Sequence, residues 1–173
     1  MTLDIVTFPA ESLRRRTERV TEITDEIRAL IANMKETMYT AKGYGLAAPQ
    51  VGKSLRILVL DDNGSRGPQN PRAFINPEII SSEGEILEEE GCLSLPGEWA
   101  MVKRFEKVTV KALDENGAEL IIEADGQLSR IFQHEIDHLN GILFIDKIPP
   151  FKRDTIKKHI KRRIQAGDYA VIA

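Results

Sequence analysis

Apolar residues recur at helical spacing near the start of the chain. They fall every three or four residues from Ile27 to Met38, behind Thr24 and Asp25, either of which can cap a helix. This pattern predicts an N-terminal helix that ends near Gly43. We expect a turn at Gly43-Tyr44-Gly45 to follow it.

A second helical pattern lies late in the chain, behind a possible cap at Asp125. Its apolar positions cover most of the helix circumference: Leu128, Ile131, Phe132, Ile136 and Leu139. A helix this apolar is expected to lie buried against a sheet and to stop at Asn140-Gly141.

The segments between these helices show strand patterns. Short apolar or alternating runs predict strands at 56–60, 74–75, 79–80, 107–113 and 119–123, the last two joined by a hairpin turn at Asn116-Gly117. Residues 61–72, with two prolines and Asn63-Gly64, are predicted to form a loop. A third helix is predicted from about Pro150 to Gln165. The expected fold is therefore α+β: mixed or antiparallel strands around a central helix, with an N-terminal and a C-terminal helix, in a single domain of residues 1–173.

Composition adds limits on location. The chain has 173 residues, of which 42% are hydrophobic and 29% charged, as in ordinary globular proteins. Its longest aliphatic run, Ile57–Leu60, is too short to cross a membrane, and Met1–Asp4 lacks the features of a secretory signal. A single cysteine, Cys92, excludes an internal disulfide. We therefore expect a cytoplasmic protein without membrane contact.

Charge is distributed unevenly along the chain. Residues 147–165 hold eight Lys or Arg and one Asp, a net charge of +7, while the remainder has 16 basic and 26 acidic residues. The third predicted helix is thus basic on an acidic body. Such a charge run is often only a solvated face, but it also fits binding to a phosphate backbone.

The candidate chemistry begins at His134-Glu135-Ile136-Asp137-His138. Two histidines four residues apart project from the same face of a helix and can bind one metal ion, with the glutamate beside it. A metal with an open position lowers the pKa of a bound water, and Glu135 is placed to accept its proton.

The third metal ligand distinguishes the possible enzyme classes. In one peptidase pattern a further histidine would stand at Phe144, and in another a downstream glutamate is needed, but no glutamate follows Glu135. His159 and Asp154 lie among lysines, which oppose metal binding. Upstream, Cys92 lies in Glu90-Gly91-Cys92-Leu93-Ser94-Leu95-Pro96-Gly97, where we expect glycines and proline to fix the backbone rather than extend a strand. Its thiolate would complete a Cys-His-His site with one open position.

Three segments together resemble the peptide deformylases: Gly43-Tyr44-Gly45-Leu46-Ala47-Ala48-Pro49-Gln50, Glu90 to Pro96, and Gln133 to His138. They occur in the family's order and spacing, and the similarity extends from about Ile5 to about Arg163. The resemblance implies Cys92, His134 and His138 as metal ligands and Glu135 as general acid and base. The reaction it implies is attack of a metal-activated water on the formyl group of an N-terminal formylmethionine in a new polypeptide.

The resemblance also implies roles around the metal site. The Gln50 side-chain amide and the Leu93 N–H would stabilise the oxyanion, although Gln50 alone reads equally well as a surface amide. Gly45 would let the substrate backbone approach closely. A methionine-sized pocket would be lined by Tyr44, Ile86, Leu93 and Ile131. For Ile86 and Ile131, plain core packing is an equally good interpretation. One divalent ion is implied, commonly Fe(II) in the cell, with Zn, Ni or Co also accepted.

Other interpretations remain open at this point. A zinc endopeptidase would share the two-histidine motif, and a structural metal site in a ribosome-associated protein would need no catalysis. The resemblance favours docking of the basic helix on the ribosome, and nothing indicates DNA as a partner. Trp99 stands where some family members have arginine, so contacts to the substrate's downstream residues are expected to differ; Trp99 either stacks on the peptide or covers the core.

Overall fold

Two antiparallel sheets and three α-helices make up the structure, a computed structural model that describes residues 1–64 and 66–173. The five-stranded sheet has the order β1-β2-β3-β6-β7, and a separate two-stranded sheet pairs β4 with β5. The strands are β1 (Gly45–Ala47), β2 (Ile57–Leu60), β3 (Arg72–Glu83), β4 (Ile86–Cys92), β5 (Leu95–Arg104), β6 (Lys107–Leu113) and β7 (Glu119–Asp125). The helices are α1 (Asp25–Thr40), α2 (Gly126–Leu139) and α3 (Pro150–Ala166). The predicted α+β class is confirmed.

The first helix begins where its cap was predicted. The Thr24 side chain accepts a hydrogen bond from the Ile27 N–H at 3.2 Å, which satisfies a donor that the first helical turn leaves free. The helix ends at Thr40, three residues before Gly43, because the chain turns at Ala41 and Lys42. Gly45, predicted to lie in a turn, is instead the first residue of β1, an edge strand that pairs only with β2 in its sheet.

Residues 61–71 join β2 to β3, one residue fewer than the predicted loop because Arg72 begins β3; Ser65 lies outside the described residues. The strands predicted at 74–75 and 79–80 form one long strand, β3. A bulge follows Ile75, where Asn76 has a φ of 51°. The Asn76 side chain accepts a hydrogen bond from the Val20 N–H through Oδ1 and donates one to the Val20 carbonyl through Nδ2. These bonds hold Asn76-Pro77 within the strand and join the two short patterns into one element.

The segment around Cys92 does not follow its prediction. It was expected to be fixed in a non-extended form, but Cys92 is the last residue of β4, and Leu93-Ser94 is a two-residue turn into β5. Gly91 stays in the ladder: it pairs with Trp99, whose ring lies 2.6 Å from the position that a Cβ of Gly91 would occupy. The register shifts between Gly91 and Cys92, opposite the stretch of β5 that contains Pro96 and Gly97. A tight hairpin therefore sets the orientation of Cys92.

Helix α2 is the central element that the sequence predicts. Phe132 packs edge-to-face on Phe74 of β3, with ring centroids 4.9 Å apart, and both side chains are fully buried. Leu58, Val110, Ile136 and Leu139 extend the same cluster. The third helix, α3, buries Ile156 and Ile160 in a second cluster with Leu95 of β5, which places the basic helix against the hairpin that carries Cys92.

None of the helices in the described residues is long and apolar enough to cross a membrane.

Candidate metal centre

The end of β4 and the buried face of α2 bring together three side chains that can bind a metal ion. Cys92 Sγ lies 3.3 Å from His138 Nε2, which in turn lies 3.3 Å from His134 Nε2. The two histidines are one helical turn apart, so both imidazoles point to the same side of α2. The structure thus unites Cys92, His134 and His138, and all three donor atoms lie within 4.8 Å of one another.

The donor set fits a divalent transition metal. One thiolate and two imidazoles are soft and borderline ligands, and three protein ligands leave a tetrahedral ion one open position. Over residues 1–64 and 66–173, no fourth His, Cys, Asp or Glu joins the group. Burial, helped by the nearby charge of Arg104, holds the pKa of His138 well below its ordinary value, so this imidazole is neutral, as a metal ligand must be.

His134 is oriented by a buried carboxylate that the sequence reasoning did not single out. Its Nδ1 lies 2.5 Å from Glu90 Oε1, which leaves Nε2 facing Cys92 and His138. Glu90 precedes Cys92 by two residues in β4, so both side chains leave the strand on the face toward α2. The sequence does carry a signal for this role: Glu90 is an acidic residue two positions before Cys92, so in a strand it shares a face with the cysteine.

Two arginines enclose the Glu90 carboxylate. Arg104 of β5 donates to both of its oxygens, at 2.6 and 3.1 Å, and Arg130 of α2 donates at 2.8 Å. Arg104 also reaches Asp137 at 2.6 Å. Burial opposes ionisation, but the bonds from His134 and Arg104 prevail and lower the pKa of Glu90 to about 2. The carboxylate is therefore charged and fixed, as an orienting partner of a metal-binding histidine should be.

Glu135 lies beside this cluster in a dry environment. Its side chain is buried, and Oε1 has no hydrogen-bond partner among the described residues. Burial raises the pKa of Glu135 to about 7. A Cβ on Gly45 would lie 2.7 Å from Glu135 Oε2, so the glycine of β1 makes room for the carboxylate. A buried carboxylate oxygen of this kind is a feature of strained or catalytic positions.

Gln50 is not the surface amide that the sequence left open; it is 1% exposed. It lies in a short 3₁₀ helix, Ala48–Val51, directly after β1. The Ala47 N–H donates to Gln50 Oε1 at 2.9 Å, which directs Nε2 toward Ser94 Oγ at 3.2 Å and Cys92 Sγ at 3.7 Å. The amide N–H groups thus face the Cys92 end of the Cys-His-His group. Leu93, in the hairpin turn, adjoins the same space.

A cavity of about 690 Å³ opens in front of these groups. Tyr44, Gly45, Leu93 and Ile131 all line it, and Ile131 belongs to the hydrophobic core around Phe132 as well. Ile86 is not part of this lining. It begins β4 opposite Arg104, six residues from Cys92, and an extended strand carries it about 20 Å away.

Trp99 lies at the rim of the cavity. Its side chain is 64% exposed, and its ring packs on Gly91. Trp99 therefore does not cover the core, and its free surface adjoins the space in which a peptide would lie.

The fold and the cluster define a hydrolase class in which a metal held by three side chains stands beside a buried glutamate. Comparison with known proteins narrows this class to one family. Residues 2–154 match the family model described as polypeptide deformylase. The peptide deformylase of Thermodesulfovibrio yellowstonii is 53% identical over 161 residues, covering 93% of this chain and 98% of the relative.

Solved structures agree with this match. A peptide deformylase from Legionella pneumophila has a TM-score of 0.88 at 45% identity, covering 96% of this chain and 98% of that one. The Ehrlichia chaffeensis enzyme in complex with actinonin has a TM-score of 0.87 at 41% identity, covering 94% and 97%. The chain belongs to the peptide deformylase family. It is a metal-dependent enzyme that removes the N-terminal formyl group of new polypeptides, and neither an endopeptidase nor a non-catalytic protein is supported.

The Glu90 contact generates a prediction about metal affinity. Glu90→Gln removes the charge that His134 Nδ1 and two arginines surround, so we expect metal binding to weaken by roughly 10–100-fold. Competition with a chromophoric chelator measures this. Glu89→Gln, on the exposed face of the same strand, is the matched control and should bind metal like the wild type. An affinity within twofold of wild type in Glu90→Gln would show that the contact does not tune the ligand.

Proposed function

We propose that Cys92, His134 and His138 bind the catalytic metal, that Glu135 is the general base and acid, and that Gln50 and Leu93 stabilise the oxyanion. The proposal is supported above all by one observation: Cys92 Sγ and the Nε2 atoms of His134 and His138 meet beside the buried carboxylate of Glu135. Oε1 of this carboxylate has no hydrogen-bond partner among the described residues. The substrate cavity is formed in part by Tyr44, Gly45 and Ile131.

A divalent ion held by the three ligands supplies a water of lowered pKa and a Lewis acid for the formyl oxygen. Glu135 accepts the proton of the attacking water, since its pKa near 7 suits a group that both takes and gives a proton at neutral pH. It then donates this proton to the departing amine nitrogen as the C–N bond breaks. The products are formate and a free amino terminus.

The Gln50 amide acts on the developing negative charge of the formyl oxygen. Because the Ala47 N–H fixes Oε1, the Nε2–H donors are oriented before the substrate arrives and need no rearrangement in the transition state. The Leu93 N–H is the second donor, supplied from the hairpin turn that follows Cys92. Both donors act on charge that is absent from the ground state, so they lower the barrier rather than tighten binding.

Fe(II) is the metal we propose for the enzyme in the cell. One thiolate with two imidazoles accepts Fe(II), Zn, Ni or Co, so the ligand set supports the proposal without selecting iron. Native iron implies sensitivity to oxygen, which would attack the metal and the Cys92 sulfur together.

Glu135→Gln tests the catalytic assignment. The amide keeps the shape of the side chain but cannot accept the proton, so we expect kcat for formyl-Met-Ala-Ser to fall by roughly 10²–10⁴-fold while metal content stays at the wild-type level. Formate release and metal analysis on the same anaerobic preparation measure the two quantities. Cys92→Ser is the complementary variant, and it should lose metal. A Glu135→Gln enzyme that still deformylates at the wild-type rate would remove Glu135 from the mechanism.

Helix α3 is the part of the enzyme that we propose docks on the ribosome. Of its seven basic residues, five side chains are exposed: Lys152, Lys157, Lys158, Lys161 and Arg162. The opposite side is anchored by Ile156 and Ile160, so the positive charge faces outward. A concentrated positive face suits ribosomal RNA, whose phosphates release counterions when lysines bind. Docking near emerging polypeptides would place the enzyme in the cytoplasm beside its substrate.

Substituting the exposed lysines tests this docking without removing the core residues of α3. We expect Lys157→Gln/Lys158→Gln/Lys161→Gln to weaken binding to purified bacterial ribosomes and to reduce the salt slope of log K by up to about 3, one per lost phosphate contact. The control triple Lys53→Gln/Lys107→Gln/Lys111→Gln removes the same charge from exposed sites elsewhere. Equal affinities of the two triples would contradict a docking role for α3.

A further inference from the structure

Helix α3 contacts the catalytic hairpin through a buried carboxylate in β5. Glu98, whose side chain is 4% exposed, receives His159 Nδ1 at 2.7 and 2.8 Å and Arg163 Nη1 at 3.2 Å. His159 and Arg163 are four residues apart, on one face of α3. Both lie beyond residue 154, outside the region that the family model matches.

Arg163 also binds the backbone of the same segment. It donates to the Pro96 carbonyl at 2.7 Å, and its guanidinium lies against Gly97, where a Cβ would stand 3.2 Å from Nη1. Gly97 has a φ of 79°, which a glycine adopts without strain. One guanidinium thus joins the side chain of Glu98 to the backbone two residues before it.

The segment held in this way lies on the substrate side of the protein. Pro96, Gly97 and Glu98 line the same cavity as Cys92 and Leu93, and only Ser94 and Leu95 separate Leu93 from Pro96. The Ser94 carbonyl is fixed by the Phe8 N–H at 2.7 Å. The turn that presents the Leu93 N–H is therefore held near its centre by Phe8 and on the β5 side by Arg163.

We propose that Glu98 and Arg163, supported by His159, are positioning residues that hold the 93–98 segment so that the Leu93 N–H meets the oxyanion. This rests on the proposed role of Leu93. An interaction that acts only through the oxyanion donor changes kcat and leaves ground-state binding nearly unchanged. Neither residue enters the chemistry itself.

The test compares Glu98→Gln, Arg163→Gln and their double variant with Arg19→Gln, a control that removes the same charge at an exposed position outside α3 and the hairpin. Each single variant is expected to lower kcat on formyl-Met-Ala-Ser roughly tenfold, less than the roughly 10²–10³-fold loss of a whole oxyanion donor. KM and metal content should change by less than about twofold. Both substitutions break the same contact, the one between Glu98 and Arg163. The double variant should therefore have a kcat no lower than that of the slower single variant. Arg163→Lys, which keeps a donor for Glu98, should recover part of kcat.

Amide hydrogen exchange of the peptide that contains Leu93 reports the segment independently of activity. It should be faster in Glu98→Gln and Arg163→Gln and unchanged in Arg19→Gln. Folded Arg163→Gln or Glu98→Gln with kcat within twofold of wild type would overturn the proposal, as would losses that multiply in the double variant. A wild-type enzyme that released no formate would instead overturn the proposed function, while the exchange rates would still test the connection.

Discussion

The catalytic centre depends on holding the last residue of a hairpin strand against one face of the central helix. Cys92 comes from β4 and the two histidines from α2, so their donor atoms meet only if hairpin and helix keep a fixed relation. Glu90 provides that relation, because its carboxylate binds β5 through Arg104 and α2 through His134 and Arg130. Removing Glu90 would take the shared carboxylate away from two buried arginines, which carries a large penalty.

The same arrangement separates two carboxylates by function. Glu90 is surrounded by cations and stays ionised, while Glu135 is buried without a hydrogen bond to Oε1 and has a pKa near 7. One carboxylate thus suits the orienting of His134, and its neighbour suits the proton transfer proposed for Glu135. Gly45 permits this by leaving space for Glu135 at the edge of the larger sheet.

Much of this could be predicted from the sequence, because the informative patterns are local. The apolar spacing of α1 and α2, the Thr24 cap and the Asn116-Gly117 hairpin required only short-range reasoning. Grouping Cys92 with the two distant histidines instead required ligand chemistry and the resemblance of three separate segments. The β4–β5 hairpin was missed because glycine and proline weaken strand signals, and here the long-range pairing of Gly91 with Trp99 overrides them. Ile86 was misplaced for the same reason, and the Glu98–Arg163 contact joins residues 65 positions apart, which no local pattern reveals.

X-ray absorption at the zinc edge of zinc-loaded enzyme tests the centre most directly, because it counts the atoms bound to the ion. We predict one sulfur at about 2.3 Å and two imidazole nitrogens at about 2.0–2.1 Å, with a light oxygen scatterer completing the shell. A spectrum without sulfur would show that Cys92 does not bind the metal and would contradict the site from which the mechanism is derived.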